Sequence, residues 1–382
     1  WAETLLYPQR PYRELGRERM RVTQVRLVDG LYLLGAPGIG KTEIVRQKAM
    51  EEARSLNKVF VDLRDADDET INEIFKDPSK YYVFIRIPAP HIMPEDFAIP
   101  LKTIDKNVKY YEHIPPKVFA ILSLKDIHGV LFLDELNNVQ REDQLTALFT
   151  LIQEKEIGWG VKLSKNIKVV AAGNPTEWSS VANTLPLPLR MGRLIVMEVD
   201  PPSVDDWINY MNKNYNDDWD KRTALYLKFF PQDFLKAKDK EDDGISPYPS
   251  PRSWTKLALL LKNVDDENFA IALAYGLLGK EVGARFEAVI RSYLTEDDVK
   301  KLEEDPSTFD DMTEAKKIVV LYSLINEPFR FIKLLKHLAA NARDYFVIAL
   351  MMMKKDDKVK LLSSAELRPL LKDLINILKN YV

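Results

Sequence analysis

Eight consecutive residues, Gly35-Ala36-Pro37-Gly38-Ile39-Gly40-Lys41-Thr42, constrain this chain more than any other stretch. They fit the pattern G-x-x-x-x-G-K-[ST], a backbone loop that curls around a polyphosphate. Glycines let successive N–H groups turn inward where a side chain would clash or forbid the dihedrals. The motif has meaning only between a strand and a helix. Leu31-Tyr32-Leu33-Leu34 before it reads as a short buried parallel strand, and Thr42 to Ala53 after it reads as a helix free of Gly and Pro. Lys41 is then expected to reach the terminal phosphates and Thr42 to offer its hydroxyl to Mg²⁺. Gly35, Pro37, Gly38, Ile39, Gly40 and the following Glu43 complete the expected nucleotide contacts.

A second signature is Val130-Leu131-Phe132-Leu133-Asp134-Glu135, an apolar run ending in two carboxylates. A buried strand of this kind delivers its acids at the carboxyl edge of a parallel sheet, where ligands of α/β folds bind. Asp134 is expected to hold Mg²⁺ through its waters and Glu135 to polarise an attacking water and accept its proton. Ile167 to Ala172 predicts another strand, ending at Gly173-Asn174-Pro175, so that the Asn174 amide falls at the same edge and orients that water.

Around these runs a βαβ rhythm extends the fold. Lys58 to Leu63 predicts a strand, Asp67 to Phe75 a helix, Gln140 to Glu154 an amphipathic helix and Leu194 to Val199 a closing strand. Met20 to Leu27 predicts a helix leading into the first strand. From Lys76 to Gly129 seven prolines interrupt the rhythm. The strand-like run Tyr82 to Ile87 and a hairpin with arms Ile99–Ile104 and Val108–Glu112 are read there as an insertion projecting from the core, followed by a helix from Pro115-Pro116 to about Lys125. Gly158-Trp159-Gly160 opens a second predicted hairpin; Trp159 either grips a substrate from an exposed tip or packs on a neighbour.

Leu185 to Arg193 is a rigid, proline-bearing loop with two arginines before the closing strand. In an oligomer, an arginine so placed reaches a neighbour's γ-phosphate. Beyond Pro201-Pro202 the chain predicts only helices, beginning at the capped start Ser203-Val204-Asp205-Asp206. Arg252, in Ser250-Pro251-Arg252-Ser253-Trp254, falls in a helix's first turn, where the dipole disfavours a cation; a phosphate partner resolves that mismatch. Met351-Met352-Met353 reads as core filler.

Composition sets the outer bounds. With 382 residues the chain has room for two or three domains, and a net charge of -3 gives no global push toward nucleic acid. The absence of cysteine excludes disulfides and thiolate metal sites. The four histidines, at 91, 113, 128 and 337, lack metal-ligand spacing, so Mg²⁺ is the one metal expected. No run approaches the ~18 apolar residues of a spanning helix, and the start lacks the order of a signal peptide, so a cytoplasmic setting is expected.

Taken in order, GAPGIGKT, LFLDEL, VVAAGNP, PLRMGRL and SPRSW resemble the AAA+ ATPases, and within them the MoxR-like group. The resemblance spans roughly residues 27 to 261. It implies that Lys41 and Thr42 are the Walker A residues, Asp134 and Glu135 the Walker B pair, Asn174 the sensor-1 residue, Arg193 the arginine finger with Arg190 as alternative, and Arg252 the sensor-2 arginine. It further implies an α/β AAA+ core with a parallel sheet sandwiched by helices over residues 1–202. Hairpins inserted near 99–112 and 157–166 decorate that core, with a helical lid over 203–317 and a helical C-terminal region over 318–382. ATP and Mg²⁺ are the implied cofactors. The implied partners are further copies in a ring, commonly a hexamer, and a protein substrate that the ring remodels in a chaperone-like way. A von Willebrand factor A domain protein on another chain is also implied. Two other readings stay open on sequence: a nucleotide-gated scaffold that does not hydrolyse, and a DNA-acting motor or loader, for which Lys102, Lys106 and Lys109 of the first hairpin supply basic groups.

Overall fold

The computed structural model describes residues 20–97, 99–105, 108–158, 160–178, 182, 192–236 and 245–363. They form two compact units that divide between Pro202 and Ser203. The α/β class expected from sequence, a parallel sheet between helices followed by an all-helical region, is the class observed.

The first unit is built on nine strands: β1 (Met20–Arg21), β2 (Leu31–Leu34), β3 (Val59–Asp62), β4 (Tyr81–Pro88), β5 (Ile99–Asp105), β6 (Val108–Ile114), β7 (His128–Asp134), β8 (Ile167–Gly173) and β9 (Ile195–Asp200). Seven make one sheet in the order β1-β9-β2-β8-β7-β4-β3, and every pairing is parallel. From β2 the chain leaps to the far edge, returns strand by strand to β8, and crosses to β9 on the other side of β2. A winding reversal of this kind opens a crevice at the carboxyl ends of the strands, here beside β2.

Alternation puts both faces to use. Tyr32, Val83, Ile85, Leu131, Leu133, Val169 and Ala171 join one core with α2 (Asp68–Lys76), α3 (Lys117–Leu122) and α4 (Glu142–Glu154). Residues of the other parity, among them Leu33, Tyr82, Phe84, Phe132 and Val170, are equally buried, on the face where α1 (Lys41–Ser55) packs. Burial on both sides is why these strands read as apolar runs rather than alternating ones.

Three expectations are corrected. Met20 to Leu27 is not a helix: Met20 and Arg21 pair with Val199 and Asp200 at the sheet edge, and a single 3₁₀ turn, Val22–Gln24, follows. The β-branched Val22 and Val25 bury against the unit instead of forming a helical stripe. Tyr82 to Ile87 belongs to no insertion, because β4 lies inside the main sheet between β3 and β7. The excursion begins only after Pro88, and β5 and β6 pair there as a separate antiparallel ribbon. The helix after Pro116 stops at Leu122, where Ser123 closes it by donating its hydroxyl to the Phe119 carbonyl at 2.8 Å. Near residue 159 the backbone pairs at a single antiparallel bridge, Glu156 with Lys162.

The second unit is helical throughout its described residues. Ser203 caps its first helix with a reciprocal box to Asp206. One buried cluster runs from Trp207 to Leu361, takes in Met351, Met352 and Met353, and so unites the stretch beyond Ile318 with the helices before it. Its polar centre is Asp233, fully buried and held by Arg285 at 2.7 Å and by the Tyr226 hydroxyl at 2.6 Å. A buried carboxylate needs such partners: the Arg285 guanidinium balances its charge, with Lys236 a second cation at 3.7 Å, and the Tyr226 hydroxyl satisfies a lone pair.

Candidate active site

The site forms where β2, β7 and β8 end. Gly38 and Gly40 carry φ of 76° and 95°, the left-handed region that only glycine enters freely, and they turn the chain from β2 into α1. The amino end of α1, at Lys41, carries N–H groups without intrahelical partners, the usual cradle for a phosphate. Ile39 is buried beneath the loop, Pro37 is half-buried, and Glu43 on the first turn accepts from Gln47 at 3.0 Å.

Lys41 is only 8% exposed, and its Nζ donates to the carbonyls of Gly35 and Ala36 at 2.7 and 2.9 Å and to Asn174 Oδ1 at 2.9 Å. The loop, the lysine and the end of β8 are thereby tied together. Gly35 N also donates to the Gly173 carbonyl at 3.3 Å, continuing the β2–β8 ladder past the last strand residue.

Asp134 closes β7 beside them. Its Oδ2 accepts from the Thr42 hydroxyl at 3.0 Å and from Arg86 Nε at 2.8 Å, while Oδ1 accepts from Glu135 N at 3.0 Å. A hydroxyl and a carboxylate meeting at one oxygen are hard donors that suit Mg²⁺, which favours few protein ligands plus phosphate and water. The guanidinium already on that oxygen is a stand-in cation, so the donor set fits the metal expected from sequence. Thr42 and Asp134 are the residues that would hold it.

Glu135 takes φ 58° and ψ 36°, an unusual conformation for a non-glycine residue and one that clusters at functional sites. The turn it makes starts the 3₁₀ segment Leu136–Asn138, and its Oε2 accepts from Asn138 Nδ2 at 3.3 Å. Asn137, 5% exposed, clamps the end of β8: its Nδ2 donates to the Asn174 carbonyl at 2.6 Å and its Oδ1 accepts from Asn174 N at 3.2 Å.

Five sequence-predicted residues, Lys41, Thr42, Asp134, Glu135 and Asn174, thus come together at one sheet edge. Arg193 does not join them in its own chain. It is exposed just ahead of β9, with its carbonyl against Gly30, at the amino edge of the sheet where Ile195 N donates to the Gly30 carbonyl at 2.8 Å. Arg252 is exposed in the first turn of the helix Pro251–Leu261 of the second unit, whose cap is the Ser250 side chain accepting from Ser253 N at 3.2 Å. Trp159, Arg190 and Lys106 lie outside the described residues.

Sequence reasoning missed Arg86, Asn137 and Asn138. Arg86 had a signal: a lone cation inside the buried run Tyr-Tyr-Val-Phe-Ile-Arg-Ile-Pro demands a partner. The two asparagines had none, since nothing in their spacing distinguishes them from an ordinary turn after a strand.

No family model matches the sequence, and no curated protein matches it. Among solved structures, the chain is similar to the RuvB Holliday junction branch migration motor of Thermotoga maritima, at 15% identity over 74% of this chain and 70% of that one, with a TM-score of 0.31. It is similar to Cdc6p of Pyrobaculum aerophilum at 15% identity over 90% and 88%, TM-score 0.33. It is likewise similar to NtrX of Brucella abortus in complex with ADP at 15% identity over 91% and 66%, TM-score 0.33. Superpositions this loose say nothing about chemistry, and the roles below rest on the chain's own residues. Among the described residues no helix is long and apolar enough to cross a membrane.

Proposed function

We propose that this chain is an ATPase of the AAA+ type, that it works in a ring of copies, and that it spends hydrolysis on remodelling a protein partner as MoxR-like ATPases do. The single observation that carries the catalytic part is the meeting of Lys41, Thr42, Asp134 and Asn174 through direct hydrogen bonds, although 92 and 133 positions of sequence separate the bonded pairs Thr42–Asp134 and Lys41–Asn174. A merely structural glycine-rich turn has no need of a lysine, a hydroxyl, a carboxylate and an amide converging on its mouth.

In this reading the phosphate chain lies along the N–H groups of residues 35–42, and Lys41 leaves Asn174 Oδ1 to neutralise the terminal phosphates. Thr42 and Asp134 would hold Mg²⁺, which would supply charge neutralisation to the nucleotide. Glu135 stands next to Asp134 with a free carboxylate face and takes the proton of the attacking water. Asn174 orients that water with its amide. Arg193 reaches the γ-phosphate of a neighbouring copy, and Arg252 takes the part of the sensor-2 arginine that senses a γ-phosphate. Arginines placed this way offset charge that builds on the transferring phosphoryl group. The ring, commonly a hexamer in such ATPases, and a von Willebrand factor A domain protein as partner belong to the same proposal.

Steady-state phosphate release from Mg·ATP tests it. Wild-type protein should turn over, Glu135→Gln should lose at least about a hundredfold in rate while still binding a fluorescent ATP analogue, and Lys41→Ala should lose binding. Equal rates for wild type and Glu135→Gln overturn the assignment of hydrolysis to this site.

A further inference from the structure

Arg86 is a cation that the phosphate-loop pattern does not ask for, placed on the carboxylate that the metal needs. It comes from β4, the strand bonded alongside β7, with Arg86 opposite Phe132 and Pro88 opposite Asp134. Its Nε lies 2.8 Å from Asp134 Oδ2, the same oxygen that the Thr42 hydroxyl reaches at 3.0 Å. Asp134 is the one ion-pair partner of Arg86 among the described residues. Phe84 and Ile85, just before it, are buried in a strand paired on both sides, by β3 and β7, so the backbone that carries the guanidinium is rigid. The Arg86 side chain is still 32% exposed against 10% for Asp134, so it has room to leave that carboxylate without unpacking the core.

A divalent cation held by Asp134 competes with the guanidinium for that carboxylate oxygen, because the two cations repel each other across a single negative charge. We propose that Arg86 is a gate on the metal position: it neutralises Asp134 while the site is empty, and it must swing off when a divalent cation arrives with the nucleotide. The inference rests on the ATPase reading above and adds a residue that no part of that reading uses. Two consequences follow from the exchange. With the guanidinium in place Asp134 is not a bare buried carboxylate, so the pair lowers the cost of burying that charge. The guanidinium that is released also stays tethered at the carboxyl edge of the sheet, on the side of the crevice formed by β4 and β7, and so becomes available to anionic oxygens of the nucleotide once the metal has taken its place.

The experiment measures metal rather than turnover. Mn²⁺ binding in the presence of ADP is followed by its electron paramagnetic resonance signal for wild type, Arg86→Gln and Arg86→Lys, alongside thermal melting with and without Mn²⁺ and ADP. Loss of the competitor should tighten Mn²⁺ binding by Arg86→Gln about fivefold or more, the low end of measured coupling between linked sites. Arg86→Lys keeps a competing cation and should stay near wild type. Without ligand Arg86→Gln should melt below wild type, and Mn²⁺ with ADP should narrow or reverse that gap. Equal or weaker Mn²⁺ binding by Arg86→Gln overturns the gate, and so does a melting gap that ligand leaves unchanged. Should Arg86→Gln not fold, Arg86→Lys binding Mn²⁺ several-fold tighter than wild type would still contradict the exchange. A fluorescent ADP titration of the wild type separates the two levels of the argument. Intact ADP binding with no effect at Arg86 removes the gate alone, whereas no ADP binding at all removes the ATPase reading and the gate with it.

Discussion

The Lys41 ammonium and the Asn174 amide are hydrogen-bonded to each other at 2.9 Å, across the gap between the phosphate loop and the end of β8. An ammonium has three protons to donate. The Gly35 and Ala36 carbonyls, at 2.7 and 2.9 Å, are matched to the other two. In the proposed site a phosphate would displace Asn174 as an acceptor of Lys41, and the exchange would free the Asn174 amide to hold a water. Asn174→Ala should leave nucleotide affinity unchanged or slightly tighter, because one competitor for Lys41 is gone. Its turnover should fall by about 10²–10³, the usual effect of removing one precisely aimed polar group from a reacting centre. Fluorescent-nucleotide titration and phosphate release, measured on the same preparation, check both halves. Weaker binding would mean that Asn174 contacts the nucleotide itself.

Asn137 is expected to act through Asn174. Asn137→Ala strips partners from both the N–H and the carbonyl of Asn174, and an unmet buried polar group costs about 1–3 kcal/mol. The variant should unfold at lower urea and lose turnover while keeping nucleotide affinity. Affinity and turnover falling together would place Asn137 in binding rather than in positioning.

What the sequence made legible was the chemistry that repeats a short pattern. Gly35 to Thr42 and Leu131 to Glu135 declared their strands and their site residues because a phosphate cradle and a strand-end acid each have a local signature. The place of β4 was not legible. Its run Tyr81–Pro88 is apolar on both faces like any central strand, but the prolines that follow belong to the excursion carrying β5 and β6, and composition spread that irregularity backward over the strand. Sheet order is a long-range property, and only pairing with β3 and β7 reveals it. Arg86 was lost with the strand, since a cation on a projecting insertion has no reason to meet Asp134.

Tyr32 offers a test of the core beneath the site. Its ring is 1% exposed and its hydroxyl has no hydrogen-bond partner among the described residues, and burial pushes the phenol's pKa far up. A Cβ added at Gly173 would come within 2.0 Å of that hydroxyl and 2.2 Å of Asn137 Oδ1, so the oxygen is wedged under the end of β8. Tyr32→Phe removes a desolvated, unpaired group and should raise stability by roughly 1 kcal/mol, read as a shift in the urea midpoint at constant slope. Gly173→Ala should do the opposite and disturb turnover, because it pushes on Asn137 as well as on Tyr32.

In the helical unit, Asp298 links acid stability to one carboxyl. The Lys316 ammonium at 2.6 Å, then the Thr295 hydroxyl and N–H, hold its pKa at about 2 against an ordinary 3.8. A folded pKa below the unfolded one gives stability that is complete above the unfolded value and disappears as pH falls through the folded one. The contribution of Asp298 should therefore be whole near neutrality and fade between pH 3.8 and about 2. Asp298→Asn should unfold at lower urea than wild type at about pH 6, and the two should converge toward about pH 2.5. A gap that persists in acid would assign the difference to helix capping rather than to charge.

Arg193 lies at the amino edge of β9, opposite the edge that carries Lys41 of the same chain, and about 13 Å of strand, four residues long, separates the two edges. Unless the sheet is rebuilt, it does not serve its own phosphate loop. A neighbouring copy does not have that restriction, which is why the proposed finger acts in trans. Arg193→Ala should keep nucleotide binding and lose turnover by on the order of 10³ or more. Glu135→Gln should be inactive for the unrelated reason that its own site lacks a proton acceptor. In a mixed assembly, some interfaces pair an intact Glu135 site with an intact Arg193 from the neighbour that carries Glu135→Gln. Mixing the two inactive proteins should therefore restore part of the phosphate release. Pre-assembly of each variant alone, followed by mixing under conditions that block subunit exchange, should restore none. If co-assembled mixtures, verified by differential tagging, stay inactive, Arg193 is not a finger acting between copies.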